Sequence, residues 1–383
     1  MRNRNKRNLI IIIAIPMVLL FLLYQNFYRQ PSSIDNLSLA KKFLDTKTTG
    51  SNNLICGPPD DWDCGYSRYQ YYAIAANLQY YEKTGDSKYL QYATNFANTM
   101  PASAPEVCPN CICGMPDDFD CGNGEDQWET IYGFARLYEV TNNKTYLDFA
   151  EKVAATKPSN PPAWCDNCVC GPDKDWDCGH GAVQLGFYKA YEILYKLTGN
   201  IKYQSYMENL LNNFEDKTAM DRGIDSIIIY SYAAESTGNS RYLDIAKQKA
   251  IDLSSSNFPC GPPDKWQCPP QYKYYQAKLI SLYSGIYKLT GDQQFLDRAI
   301  KFADNGSVDC GPNNDWVCSD PFLQAMMASA YYNTYKLTSD EKYLNYFNNL
   351  ISNDALEKLN CSNFDCHDAE FNYYFAISMV NLK

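Results

Sequence analysis

The segment CGPPDDWDCG at residues 56–65 returns as CGMPDDFDCG at 113–122 and as CGPDKDWDCG at 170–179. Its first cysteines, Cys56, Cys113 and Cys170, are spaced by 57 residues, and CGPPDKWQC from Cys260, CGPNNDWVC from Cys310 and a shortened CSNFDC from Cys361 continue the series. Self-similarity at a fixed period of this kind is the mark of stacked units, none of which buries its apolar face alone. Between the loops lie two longer segments joined by a short turn: TGD at 84–86, TNN at 141–143, TGN at 198–200 and 237–239, TGD at 290–292 and TSD at 338–340. Five positions after each threonine stands an aromatic residue, Tyr89, Tyr146, Tyr203, Tyr242, Phe295 or Tyr343. Gly or Asn in such a turn stops one helix and starts the next. Apolar residues three and four apart, as in Ile74, Leu78, Tyr81 and in Leu90, Ala93, Ala97, give both segments a helical period. Each unit is read as a helical hairpin.

Six hairpins run from residue 66 to about 355. The segment at 36–48 reads as a helix of the second type and that at 368–382 as one of the first type. Docked together, these two half-units make a seventh hairpin and close a ring. The expected fold is all-α, an (α/α) toroid of about seven hairpins with six as the alternative, first-type helices inside and cysteine loops on one rim. An open superhelix would have no use for complementary half-units at its ends. The hairpins DQWETIYGFARLYEVTNNKTYLDFAEKVA at 126–154 and RGIDSIIIYSYAAESTGNSRYLDIAKQKA at 222–250 resemble the six-hairpin glycosidase-like superfamily, which includes N-acylglucosamine epimerases and unsaturated-glucuronyl hydrolases. The resemblance covers nearly all of the chain beyond its N-terminal segment and implies a toroid with carbohydrate chemistry. The cysteine loops and the seventh hairpin depart from that pattern.

A net charge of −10 and a pI near 4.8 argue against nucleic-acid binding through phosphates. MRNRNKRN, with four positive charges, precedes the apolar run LIIIIAIPMVLLFLLY at residues 9–24, and no small-residue cleavage site follows. This reads as an uncleaved transmembrane signal anchor over residues 1–30, basic end inside, with an extracytoplasmic toroid domain over 31–383 and the membrane as one partner; a cleaved signal peptide is the alternative. Glycosylation acceptors at Asn36, Asn143, Asn305 and Asn360 fit an exported chain. So do sixteen cysteines, an even number in which five pairs share the spacing Cys-x7-Cys. The expected disulfides join Cys56 to Cys64, Cys113 to Cys121, Cys170 to Cys178, Cys260 to Cys268, Cys310 to Cys318 and Cys361 to Cys366, with Cys108–Cys111 and Cys165–Cys168 pairing separately. The sets Cys108, Cys111, Cys113, Cys121 and Cys165, Cys168, Cys170, Cys178 have zinc-like spacing, but Cys-x7-Cys recurs at 260–268 and 310–318 with no CxxC before it. Disulfides are the simpler reading.

Six residues after the second cysteine comes Gln70, Gln127, Gln184 or Gln324, with Asn372 in the last copy and Gln276 eight after its cysteine. The fourth hairpin lacks the loop and has Gly223 at that place. Loop and glutamine are present or absent together, so each glutamine is expected to hydrogen-bond the backbone of its own loop rather than a ligand. The run Asp173, Asp175, Asp177 alternates as calcium loops do, but Lys174 and Lys265 occupy loop positions and no glutamate stands at the twelfth place. No cofactor is expected, with calcium at the Asp-rich loops the alternative left open. The two histidines are His180 and His367. Cys366-His367 invites comparison with the zinc site of lanthionine cyclases, but the tryptophan-cysteine-glycine motif that would complete it is missing.

Catalysis has to come from what breaks the repeat. The non-repeated carboxylates at first-type helix starts are Glu125 and Asp126, Asp221 and Asp225, Asp368 and Glu370. Glycoside cleavage needs two carboxylates in unlike environments, and Asp126 with Asp221 is the expected catalytic pair. Arg222, Glu125, Asp225, His180 and Glu370 are the expected substrate contacts, Arg222 as a partner for a uronic-acid carboxylate. The leading expectation is a membrane-anchored, extracytoplasmic carbohydrate-active protein, hydrolase- or lyase-like, acting on a surface polysaccharide. The alternative is a non-catalytic glycan- or protein-binding scaffold.

Overall fold

The computed structural model describes residues 36–50, 53–103, 112–159, 171–172, 176, 178, 181–213, 220–253, 260–262, 264–359, 361 and 365–381. The anchor segment therefore lies outside the described residues, within which no helix is long and apolar enough to cross a membrane. Fifteen α-helices stand among the described residues. They are α1 (Asn36–Leu44), α2 (Ser67–Thr84), α3 (Ser87–Ala97), α4 (Gly124–Thr141), α5 (Lys144–Ala155), α6 (Gly181–Thr198), α7 (Ile201–Asn212) and α8 (Met220–Thr237), then α9 (Ser240–Asp252), α10 (Lys273–Thr290), α11 (Gln293–Asn305), α12 (Pro321–Thr338), α13 (Glu341–Leu350), the short α14 (Asn353–Lys358) and α15 (Ala369–Asn381).

Every hairpin turn follows one chemistry. Gly85, Gly199, Gly238 and Gly291 end their helices at φ between 66 and 72°, and Asn142 and Ser339 take the same left-handed geometry. The next residue then caps the following helix with an acidic or amide side chain, as Asp86 does by accepting from the Lys88 N–H. The aromatic five residues after the threonine is buried in five of the six hairpins and half-buried as Tyr242, and in four of them its hydroxyl reaches back to the preceding unit. Tyr89 donates to Asp45 at 3.0 Å, Tyr146 to Asn98 at 3.2 Å, Tyr203 to Glu151 at 3.0 Å and Tyr343 to Asp304 at 2.9 Å.

The long helices α2, α4, α6, α8, α10, α12 and α15 pack each on the next, and α15 packs back on α2. The ring closes, with α1 paired to α15 as the seventh hairpin. The seam is tied by Phe43 against Phe375, ring centroids 4.9 Å apart, and by the Thr48 hydroxyl donating to Asp365 at 2.9 Å. A two-residue ribbon, β1 (Thr48–Thr49) with β2 (Ile55–Cys56), leads into the first loop, pairing Thr48 with Cys56.

The cysteine loops stand on the face where the long helices begin. Disulfides join Cys56 to Cys64, Cys113 to Cys121, Cys260 to Cys268, Cys310 to Cys318 and Cys361 to Cys366. Cys178 is also disulfide-bonded, while Cys108, Cys111, Cys165, Cys168 and Cys170 lie outside the described residues. Inside the first loop Gly57 and Asp61 exchange backbone hydrogen bonds, and Gly114 with Asp118 and Gly261 with Lys265 do the same. Gly57, Gly261 and Gly311 sit at φ 131, 139 and 124°, backbone that a side chain would strain, which explains the Cys-Gly start of these copies. The loop aromatics pack on the second helix of their own hairpin: Trp62 on Phe96, Trp176 on Tyr206, Trp266 on Phe302 and Trp316 on Tyr346, at 5.0–5.3 Å.

The glutamines join loop to hairpin, as the co-occurrence implied. Oε1 accepts from the second cysteine's N–H in Gln70 (3.2 Å), Gln276 (2.9 Å) and Gln324 (2.7 Å), and Asn372 serves Cys366 likewise at 2.8 Å. Nε2 donates to the last turn of the outer helix, from Gln70 to Phe96, Gln127 to Val153, Gln184 to Leu210, Gln276 to Phe302 and Gln324 to Leu350, at 2.6–2.7 Å. In the lanthionine-cyclase comparison the bond between Cys361 and Cys366 leaves no thiolate beside His367 to hold a metal.

Candidate functional site

Because these amides point outward to the second helix, the residues two before and two after each of them lie about 200° around the helix and face the ring axis. Two before stand Arg68, Glu125, Ala182, Tyr274, Phe322 and Glu370; two after stand Tyr72, Glu129, Gly186, Asp225, Lys278, Met326 and Tyr374. Contacts between neighbouring helices confirm the shared face. Arg68 on α2 meets Glu370 on α15 at 2.7 Å and Glu125 on α4 at 3.3 Å. Lys278 on α10 meets Asp225 on α8 at 3.5 Å. Phe322 on α12 lies 4.4 Å from Tyr374 on α15 and 6.0 Å from Tyr274 on α10, measured between ring centroids.

The repeat thus stops at the lumen. Its wall over α15, α2 and α4 is acidic: Glu370, Asp368, Glu125, Asp126 and Glu129 surround a single guanidinium, Arg68. Glu125 and Glu370 keep 34% and 19% of their side-chain surface, while Asp126 is 5% and Glu129 0% exposed. The neighbouring wall over α10, α12 and α15 is aromatic, built of Tyr274, Phe322 and Tyr374.

Burial dominates the titration of this cluster. Asp126 is pushed up to about 7 by desolvation, which Glu125 adds to and Arg68 opposes. Glu129 is driven well above the carboxyl range by desolvation, against the pull of Arg68, and neither of its oxygens has a hydrogen-bond partner among the described residues. Desolvation also raises Glu370 and Asp368, the latter capping α15 through the Glu370 and Phe371 N–H groups. Arg68 is held charged by Glu129, Glu125 and Glu370 in spite of its burial. The arrangement offers proton-carrying carboxylic acids next to carboxylates fixed by a cation, the two states that acid–base chemistry requires.

Of the site residues expected from sequence, Glu125, Asp126 and Glu370 come together here. Asp126 faces the α2–α4 contact, 3.4 Å from the Ser67 hydroxyl. Asp225 stands apart, with Lys278. His180 lies outside the described residues; Asp221 and Arg222 open α8, but their side chains are not among those described. Arg68, Glu129 and the aromatic wall were not expected. Aligning the hairpins on the turn threonine and reading the two positions flanking each glutamine would have found them.

No protein-family model matches the chain, and no curated protein matches it by sequence. Solved structures do. An inactive double variant of an alpha-1,6-mannanase from Salegentibacter sp., in complex with alpha-1,6-mannotetrose, matches at a TM-score of 0.50 and 12% identity, over 91% of this chain and 100% of that one. A sugar epimerase from a ruminal bacterium matches at 0.47 and 11% over 91% and 96%, and a D-mannose isomerase at 0.45 and 16% over 69% and 89%. At such identities the mannanase match speaks to fold alone. It bears out the resemblance to the six-hairpin glycosidase-like toroids at that level.

Proposed function

We propose that the chain is a carbohydrate-active enzyme, a glycoside hydrolase or lyase acting on a surface polysaccharide from a membrane-anchored, extracytoplasmic position. One observation carries the reading: the positions facing the ring axis, where every hairpin is free to differ, gather Glu125, Glu129 and Glu370 around one arginine, Arg68, with Asp126 and Asp368 adjoining them. In this proposal Glu370, raised by burial and still open to the lumen, gives a proton to the leaving glycosidic oxygen. Glu125, fixed by Arg68, is the charged partner that stabilises the developing positive charge or directs a nucleophile. Asp126 and Glu129 sit behind them, and Asp221 stands at the matching helical position on α8. The inactive mannanase variant carries replacements at two consecutive aspartates, and Glu125-Asp126 is the consecutive acidic pair at an inner-helix start here.

The test is Glu125→Gln and Glu370→Gln in the purified chain, assayed for release of sugar ends from a panel of bacterial and plant polysaccharides. Each variant should lose about 10²–10⁴-fold in turnover. Melting should hardly move, because part-exposed ion pairs of this kind contribute only about 0–1 kcal/mol. The Arg68 bridge also favours a second reading, a binding toroid in which the triad is structural. Wild-type protein that retains a polysaccharide but cleaves none would decide for it.

A further inference from the structure

The wall facing the acidic cluster carries two lysines. In ring order α2 stands across from α8 and α10, and the helices α6 and α10 that flank α8 present Lys189 and Lys278. Lys278 is already engaged, at 3.5 Å from Asp225. Lys189 is not. Its ammonium lies 4.8 Å from the Tyr232 ring centroid, and no hydrogen bond or ion pair to it occurs among the described residues. The nearby acid, Glu192, is occupied by Lys196 at 2.8 Å and by the Tyr232 hydroxyl at 2.7 Å. Desolvation depresses the Lys189 pKa, against the pull of Glu192, the cost of a half-buried cation with no bonded anion among the described residues. The residues above it on the same face of α6 are small. Ala182 is exposed at the start of the helix, and Gly186 lets the Trp128 indole lie against α6, where a Cβ would run into the ring. The Trp128 N–H is itself a buried donor without an acceptor among the described residues.

We infer that Lys189 is a specificity residue that receives the carboxylate or sulfate of an anionic sugar unit, orienting the chain so that its glycosidic bond meets the carboxylates of α4 and α15. The inference rests on the carbohydrate reading above for its class of ligand. Its chemistry is that of a desolvated ammonium, which favours an anion strongly over a neutral hydroxyl.

Binding of three size-matched probes to the full-length chain tests this: trigalacturonic acid, a sulfated neutral trisaccharide and the unsulfated trisaccharide. Wild type should bind one of the anionic probes at least about tenfold more tightly than the neutral one, a difference of about 1.4 kcal/mol. Lys189→Met should abolish that preference while keeping affinity for the neutral probe, and Lys189→Arg should keep most of it. Retained neutral binding and an unchanged melt show that the Met variant is folded; if it fails to fold, the Arg variant and the wild-type preference decide. Equal binding of neutral and anionic probes by wild type, or a preference that survives in Lys189→Met, overturns the inference. Anion preference without cleavage of any bound probe would count against the enzyme reading and leave this one standing.

Discussion

Replacing Gln324 by alanine separates a structural amide ring from a ligand-binding one. The side chain is fully buried and makes three hydrogen bonds. Oε1 accepts from the Cys318 N–H at 2.7 Å, and Nε2 donates to the carbonyls of Trp316 at 2.8 Å and Leu350 at 2.6 Å. Truncation orphans all three backbone groups at once. A buried group left without a partner costs about 1–3 kcal/mol. The Trp316 carbonyl sits on a half-buried loop that water can reach, so the realistic total is about 2–5 kcal/mol, a large share of the 5–15 kcal/mol that holds a typical domain together. Urea unfolding of the purified, disulfide-intact chain, followed by far-UV circular dichroism, should show a lower midpoint at unchanged slope. Gln324→Glu should not rescue, since it replaces the amide donor with a buried charge. Binding of any glycan should survive in the alanine variant. An unchanged midpoint with lost glycan binding would refute the structural assignment and move the whole ring of amides to the ligand.

Mass spectrometry of the non-reduced chain should recover the peptides joined at Cys56–Cys64, Cys113–Cys121, Cys260–Cys268, Cys310–Cys318 and Cys361–Cys366, together with Cys170–Cys178, Cys108–Cys111 and Cys165–Cys168. Stoichiometric zinc or alkylatable thiols at Cys108 or Cys111 would break that scheme. Asp126, pushed up to about 7, binds more protons folded than unfolded between about pH 4 and pH 7, so its contribution favours the folded chain in acid and is lost as pH rises through that window. Melts across this range should show the decline flattened in Asp126→Asn, and a decline of the same slope in the variant would contradict the assignment.

Most of the ring was legible because it is written in backbone chemistry. A left-handed glycine, an Asx cap and a buried tyrosine recur wherever the chain must turn, and a Cys-Gly loop recurs with its glutamine wherever a long helix begins. The lumen was harder to read for the same reason. Its residues carry no repeated signal, and carboxylates at helix starts stand out in the sequence more than the stripe facing the axis does. Asp126 illustrates the error of angle. It adjoins Gln127 and so points about 100° away from that stripe, into the α2–α4 contact, whereas Glu125 and Glu129 on either side of the amide reach the axis. Arg68 went unremarked because its hairpin shows no acid at that place, yet it is the charge that organises three helices.

The balance of charge in the cluster bears on whether it is merely structural. A structural ion pair needs one partner per charge, and replacing it by apolar residues is often neutral or stabilising. Here one guanidinium serves Glu125, Glu370 and the nearby Glu129 and Asp126, and burial raises the last three. Burial biases this surplus acid toward its protonated form, and a neutral acid adds no charge pairing between α15, α2 and α4. The same ring shows what plain packing at these positions looks like, for α12 fills them with Phe322 and Met326. A toroid that served only as a scaffold could do so on every helix. The retention of protonatable groups on one wall, with an ammonium set across from them that has no bonded anion among the described residues, supports the proposal of a site that handles protons and a charged ligand.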